Sequence, residues 1–512
     1  MKNNSSIYLL LFLLIAVSCN SNRLKTDEKS LVKQILTEEE QRAHEEQLRI
    51  EREQQLADSI AKLPKGFRFN EERGVDPEHP PMVIDIAGSL DSIRPFRLSD
   101  VATEVKYIRM EALPDSTLPN DLKYKYYLMD KYLVATNLYG IHLYSKQGEF
   151  IRSVVKNELT GVNVDLPKDR IHFWNDYTLV GGGTSVWGRG DDLFYTYSNN
   201  ITGQRYIMEY NCAAASLMIE NQPGSENTDS IIGLGTVSVD LRHGDTRTPP
   251  ARKHQGMFSM SPDYLYKGMG VFSPDRNTYV QNMHGKNMLG ILGTGGDTLA
   301  TFAKVEQLEN YTKNLMRGTD RGTQYEKDGK LFVRTNFNDT IFQVIPPNKL
   351  FPVYVFHLGQ YKVTMQEGVD PGFDLNGKII LQDFADTRDY LFITFTKDSY
   401  DCPNNRRNKT LKLYRAIYSK AKHKLAIVEG LPTDYEAPIL ENDLDGGVPV
   451  WPQSFMVGRN GEILVSLKGS ELKAHIKATG FEHSTAPIEK KNELRNFADM
   501  LAADDDVLMI VK

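Results

Sequence analysis

The chain has 512 residues, 40% of them hydrophobic, and a formal net charge of −6. That balance describes a mildly acidic globular protein and excludes a nucleic-acid binder built around a basic face. Three cysteines without a C-x-x-C spacing argue against a cysteine-based zinc site.

Met1-Lys2 is followed by an apolar run from Ile7 to Val17 and then by Ala16-Val17-Ser18-Cys19. A transmembrane helix needs about 20 apolar residues, and this run of 11 residues falls short. A basic start, a short apolar middle and small residues before a break read as an export signal over residues 1–18. Cys19 then sits as the acylated cysteine of a lipobox, with Ala16 where Leu, Val or Ile is usual. Several acyl chains on Cys19 would anchor the chain stably to a membrane. The other two cysteines, Cys212 and Cys402, are read as buried thiols, with a single disulfide as the alternative.

Residues 19–64 carry a charged stretch, Arg23 to Leu63, without Gly or Pro. It is rich in Glu, Gln, Lys, Arg, Ala and Leu, which favour helix. Pairs such as Glu38–Arg42 and Glu45–Arg49 lie at the i,i+4 spacing that supports an exposed helix. The apolar residues keep no heptad, so a solvated spacer is expected, with self-association through Leu48–Leu63 as the alternative. At 1.5 Å per residue such a stalk would reach about 55 Å. Pro64-Lys65-Gly66 ends it. Residues 65–82, with Pro77-Glu78-His79-Pro80-Pro81, read as an extended linker.

From residue 83 to 512 the texture is short runs rich in Val, Ile, Tyr, Phe and Thr, such as Val105–Met110, Tyr390–Thr396 and Ile463–Leu467. Turn signals separate them: Lys146-Gln147-Gly148-Glu149, Lys327-Asp328-Gly329-Lys330 and Gly458-Arg459-Asn460-Gly461. Glu306–Met316 and Glu489–Ala503 are helical in pattern. The strands group into modules of about 40 to 60 residues, each with material for about four strands, the period of a propeller. The fold class expected is all-β: a six-bladed β-propeller after a long α-helical stalk. Its open edges would be closed by the C-terminal strand Asp506–Lys512. A two-sheet sandwich is the alternative.

Particular residues carry a family resemblance. Pro95–Asp100 with Val105–Ile108, Ile141–Ile151, Phe337-Asn338-Asp339-Thr340-Ile341 and the ending Ala503–Lys512 are the segments concerned. They resemble the six-bladed β-propeller lipoproteins of unknown function from Bacteroidota-type bacteria, over roughly residues 80 to 512. The resemblance implies architecture and an envelope address, outer-membrane-anchored on the periplasmic or the cell-surface face. It implies no active site. Asp-Ser/Thr-apolar triplets such as Asp91-Ser92-Ile93 and Asp229-Ser230-Ile231 are similar to O-glycosylation acceptors of the same bacteria.

Local catalytic motifs are thin. There is no G-x-S-x-G and no H-E-x-x-H. Ser470-Glu471-Leu472-Lys473 matches S-x-x-K, but so does Ser30-Leu31-Val32-Lys33. Asp443-Leu444-Asp445-Gly446-Gly447 lacks calcium-loop spacing and reads as an Asx turn. No metal and no cofactor is expected. Candidate ligand-binding residues are Arg170, His172, Trp174, Trp187 and Arg189, and a second cluster of Asp443, Asp445 and Trp451. Aromatic and guanidinium groups there suit a carbohydrate or peptide by stacking and bidentate hydrogen bonds. Packing between blades is the competing role for each Trp. The leading functional expectation is a membrane-anchored, non-enzymatic binding or scaffold protein, with a carbohydrate, a peptide or another envelope protein as partner. A propeller lyase or hydrolase with its site spread over several blades, and an envelope sensor, are the alternatives.

Overall fold

The computed structural model describes most of residues 44–113, 124–156, 323–429 and 440–512, and the strand residues lying between 186 and 306. The chain divides into two compact units, Met1–Leu63 and Pro64–Lys512. In the first, the described residues from His44 to Ile60 are helical. Gln47 Nε2 donates to Glu51 Oε1 at 3.1 Å across one turn. The last turn tightens as Leu63 N donates to Ile60 O at 3.0 Å, just before Pro64 removes a donor. Cys19 and the apolar run before it lie outside the described residues.

The second unit is mostly β-sheet, a propeller-like arrangement of small sheets. A leading segment carries β1 (Glu72–Arg73), β2 (Met82–Asp85), β3 (Ile93–Arg94) and β4 (Val105–Met110). Two antiparallel meanders follow: β5 (Lys125–Leu128), β6 (Tyr132–Asn137), β7 (Gly140–Ser145) and β8 (Phe150–Lys156), then β9 (Val186–Arg189), β10 (Asp192–Asn199), β11 (Gln204–Asn211) and β12 (Val239–Asp240). The next comprises β13 (Gly270–Val271), β14 (Thr278–Asn282), β15 (Asn287–Gly293) and β16 (Thr298–Ala303). Then come β17 (Thr323–Lys327), β18 (Lys330–Arg334), β19 (Thr340–Ile345) and β20 (Lys349–His357). The fifth meander is β21 (Ile379–Asp386), β22 (Tyr390–Lys397), β23 (Leu413–Ser419) and β24 (Lys424–Val428). The last sheet is β25 (Ile463–Lys468), β26 (Asp506–Val511) and β4, in that order.

Burial explains the strand sequences. Tyr390–Lys397 is buried at six consecutive positions because sheets pack on both of its faces. The aromatic stack of Phe356 on Phe384, 4.7 Å between centroids, joins the β17–β20 sheet to the β21–β24 sheet. β26 places Val507 to Val511 in the core, pairing with β25 on one side and β4 on the other. Residues 105–110 and 506–511, far apart in sequence, thus share one sheet.

The stretch 65–98 is docked rather than free. β1 and β2 run parallel to β20, and β3 runs parallel to β24. Phe69 N donates to Leu299 O at 2.7 Å, and Ala303 N donates to Glu71 Oε2 at 2.8 Å, so the same stretch also covers β16. It covers strand edges that would otherwise be open to pairing.

An antiparallel meander sends its first–second and third–fourth connections to one end of the strands. The second–third connection and the exit to the next sheet go to the other. At the first end the turns are tight, as at 327–330, 345–349, 386–390 and 419–424. The exception, 211–239, lies almost wholly outside the described residues. At the second end run 303–323, 357–379, 397–413, 428–457 and 468–506. The last of these holds the helices Gly469–Lys477, Thr479–His483 and Ile488–Asp499. Ser470 and Lys473, the S-x-x-K pair, lie on the first of them, and Lys473 Nζ donates to Leu501 O.

Candidate functional site

At the end with the long connections, two of them and the Thr335–Asp339 turn line an open depression whose cavity volume is about 20 Å³, room for about one water. Lys304, Val305 and Glu306 follow β16. Thr335 to Asp339 turn from β18 to β19. Lys362 and Met365 follow β20. Lys362 sits between two carboxylates, 3.0 Å from Asp339 Oδ2 and 3.4 Å from Glu306 Oε1. Burial pulls the Lys362 pKa down, but hydrogen bonding to Asp339 and the charges of Asp339 and Glu306 outweigh it and hold it above the usual value.

Each carboxylate is also fixed from behind. Glu306 Oε2 accepts from Met365 N at 2.7 Å, and Asp339 Oδ1 accepts from Thr340 Oγ1 at 3.2 Å. Asn338 Oδ1 accepts from Thr340 N at 3.0 Å, an Asx turn that shapes the floor. Beneath it, Arg334 is 1% exposed and donates to Asn338 O at 3.0 Å. Phe337 adopts φ of 55°, a left-handed conformation that is an outlier for so bulky a residue. Its ring lies against Gly368, where a Cβ would come within 2.2 Å of Phe337 Cε1. Gly368 belongs to the short helix Met365–Val369, which starts with a capping box between Thr364 and Glu367. Strain of this kind persists only where its surroundings fix it. The cleft therefore presents held acceptors, a held ammonium and apolar surface from Met365 and the 56% exposed Val305. Such a set has the donors and acceptors to pair with hydroxyl or amide groups.

A second polar group lies on the inner strands. The first strands of neighbouring sheets touch, β5 with β9 and β17 with β21. The turn Ser454–Met456 packs on β5, β17, β21 and β25 together. Ser454 N donates to Asp383 Oδ2 at 3.0 Å. Burial raises the Asp383 pKa, with hydrogen bonds from Ser454 opposing. Burial lowers Lys125, on β5, to about 8, opposed by the charge of Asp383.

Of the residues singled out in the sequence, Arg170, His172 and Trp174 lie outside the described residues. Trp187 and Arg189 are on β9, paired with Phe194 and Asp192 of β10. Asp443, Asp445 and Trp451 share one loop, and each is engaged by the protein itself. Asp443 accepts from Ser99 N at 2.9 Å and Ser99 Oγ at 2.6 Å. Asp445 accepts from Gly447 N at 2.8 Å, and burial raises its pKa. Trp451 Nε1 donates to Thr394 Oγ1 at 2.9 Å, and its ring meets Phe392 edge-on at 5.4 Å. In the sequence Asn338-Asp339-Thr340 belongs to the family resemblance and marks architecture, not a site. Lys362 and Glu306 carry no local motif, because their partnership is made across three connections. Among the described residues no group of three His, Cys, Asp or Glu gathers as a metal would require, and no helix is long and apolar enough to cross a membrane.

A family model described as "Domain of unknown function (DUF4933)" matches residues 64–478. No curated protein matches the chain. Among solved structures, a Bacteroides fragilis protein named "Putative exported protein" is similar at 11% identity and a TM-score of 0.43, over 84% of this chain and 99% of that one. A protein of unknown function from Bacteroides thetaiotaomicron is similar at 10% identity and a TM-score of 0.31, over 80% and 76%. Hydrazine synthase of Kuenenia stuttgartiensis is similar at 11% identity and a TM-score of 0.29, over 78% and 90%.

Proposed function

The chain belongs to the DUF4933 family, and from that premise we propose an exported, lipid-anchored binding protein that captures a polar ligand without transforming it. Residues 1–18 are its export signal and Cys19 its acylated anchor. Residues 19–64 are a helical stalk, a reading supported by the helical residues from His44 to Ile60. Residues 65–82 lead into a propeller at 83–512. Six blades are supported by the six small sheets among the described residues, and ring closure by the pairing of β26 with β4. The name of the Bacteroides fragilis protein agrees with export.

The observation that carries the binding reading is the contrast between the two ends of the strands. Tight turns at one end leave little to vary, whereas at the other two long connections join the Thr335–Asp339 turn around Lys362. Loops positioned by a rigid scaffold are where binding residues concentrate. A carbohydrate or peptide would exchange hydrogen bonds with Glu306, Asp339 and Lys362 and lay apolar surface on Val305 and Met365.

The test uses glycan and peptide arrays with the intact chain and with Lys362→Met. Binding of one ligand class by the native chain, weakened about tenfold or more by the variant, is the expected result. Equal binding by both proteins would overturn the reading, as would turnover of the bound ligand. The anchor is tested separately: Cys19→Ser should move the protein from the membrane to the soluble fraction.

A further inference from the structure

We propose that Lys420 is a covalent acceptor for a small carbonyl compound, an aldehyde or a 2-oxo acid, activated by the ammonium group of Lys327 beside it. The site lies at the tight-turn end of the strands, opposite the cleft, and stands independently of the binding reading.

Lys327 closes β17, and Lys420 follows β23 on the adjoining sheet. Both converge on Asp386 at the end of β21. Lys327 Nζ is 2.9 Å from Asp386 Oδ1 and 3.0 Å from Thr387 O. Lys420 Nζ donates to the same two atoms and lies 3.3 Å from Arg388 O. Tyr325 donates to Asp386 Oδ2 at 2.8 Å, and Tyr354 to Oδ1 at 3.4 Å. Asp386 is 1% exposed at its side chain, and each lysine 12%. The ionisable groups facing the pair are Tyr325, Asp328 and Tyr354 from one sheet and Asp386 and Tyr418 from the other.

One buried carboxylate balances one buried ammonium. A second ammonium sharing the same acceptors is an uncompensated charge, which is costly in this setting. Sharing these acceptors therefore favours loss of a proton from one of the two amines. The protonation balance agrees. Burial, offset in part by Asp386 and assisted by the Lys327 charge, brings Lys420 to about 8, whereas Lys327 stays above its usual value. A desolvated lysine next to another cation is the arrangement that activates an amine toward carbonyl carbon. Each lysine side chain keeps 12% of its surface exposed.

The chemistry balances within the cluster. The Lys420 lone pair forms a bond to the carbonyl carbon, and the carbonyl electron pair moves to oxygen, which takes a proton from Lys327. The nitrogen passes one proton to the new hydroxyl, and the C–O bond breaks to release water. The product is a protonated imine on Lys420 beside a neutral Lys327. The charge facing Asp386 is unchanged. No oxidant or reductant is consumed.

The test incubates the mature full-length protein with acetaldehyde or with glyoxylate, traps imines with cyanoborohydride and maps adducts by mass spectrometry. The expected result at pH 7.5 is labelling of Lys420 about tenfold above exposed lysines such as Lys422, the ratio that a one-unit difference in pKa produces or more. Labelling should rise with a midpoint about 8. Removing the neighbouring cation in Lys327→Met should slow Lys420 labelling several-fold, and Lys420→Arg should abolish the adduct. Preference for glyoxylate over acetaldehyde would assign a 2-oxo acid, and the reverse an aldehyde. Labelling of Lys420 no faster than Lys422 with either reagent overturns the proposal, as does an unchanged rate in folded Lys327→Met. If that variant does not fold, the pH profile of the native protein decides: a midpoint near the ordinary lysine value overturns it.

Discussion

Ser454 and Asp383 join the loop that crosses the inner strands to the middle of β21: the Ser454 amide donates to Asp383 Oδ2 at 3.0 Å. The carboxylate is held where burial opposes its charge, so its pKa lies above the usual value. The burial penalty is absent below the unfolded pKa and complete above the folded one. Stability from this group therefore falls as pH rises from the usual carboxylate range through its raised value. Asp383→Asn, which keeps an acceptor, should remove that slope in a melting series across acid pH. Asp383→Ala should cost about 1–3 kcal/mol by leaving the Ser454 amide unpaired.

Asp386 behaves in the opposite sense. Burial would raise it, but the charges of Lys420 and Lys327 prevail and hold it below the usual value. It contributes stability above its unfolded pKa that is lost as pH falls through the folded one. Removing its charge in Asp386→Asn strands two lysines and should cost about 3–5 kcal/mol, read from denaturant midpoints. Burial, with the Lys327 charge beside it, lowers Lys420 from the usual 10.5 to about 8 in the folded chain. Its penalty is full below the folded value and gone above the usual one, so stability should rise with pH between them, and Lys420→Met should flatten that rise.

Gly148 has φ of 89°, and a Cβ there would lie 2.2 Å from Arg109 O. It fits the turn between β7 and β8 against β4, where Glu111 N donates to Gly148 O at 2.8 Å. Gly148→Ala faces both a left-handed backbone and a backbone clash. It should lose more than about 1 kcal/mol in thermal or chemical unfolding.

Trp451 is part of the core shared by Phe392, Val450 and Leu467. Trp451→Phe removes the indole donor from Thr394 and leaves a void beside Arg415, whose guanidinium lies 5.4 Å from the ring. A loss of about 1–3 kcal/mol is expected from the missing bond and volume. Quenching by acrylamide should leave the Trp451 emission protected in the native protein. A free ligand-facing indole would be quenched at once.

Deleting residues 506–512 takes out the middle strand of a three-stranded sheet. Val507, Leu508 and Met509 are fully buried, and β25 and β4 would lose their shared partner. The truncated chain should show no cooperative melting by circular dichroism, whereas deleting Lys512 alone should keep it.

Much of the local structure was legible in the residues. The apolar run Val105–Met110 coincides with its strand, and the runs Tyr390–Thr396 and Ile463–Leu467 match theirs to within one residue. The turn signals at 146–149 and 327–330 fall between paired strands, and that at 458–461 between the bridged residues Val457 and Ile463. The helical pattern after Glu489 corresponds to Ile488–Asp499, whereas the helix Gly469–Lys477 carries no strong apolar periodicity in its sequence. The docking of 65–82 along β20 was hidden because its signals, proline and charge, are those of a free linker.

The sequence by itself determined where strands, turns and the charged helix lie, because alternation, glycine punctuation and helix propensity act between near neighbours. Only the tertiary structure decided what those elements bring together. Lys362 with Glu306 and Asp339, and Lys420 with Lys327 and Asp386, are partnerships across separate connections or separate sheets. In the second group the chemistry comes from shared burial, which sets the cost of each charge by what else is excluded from water beside it. No spacing along the chain encodes that.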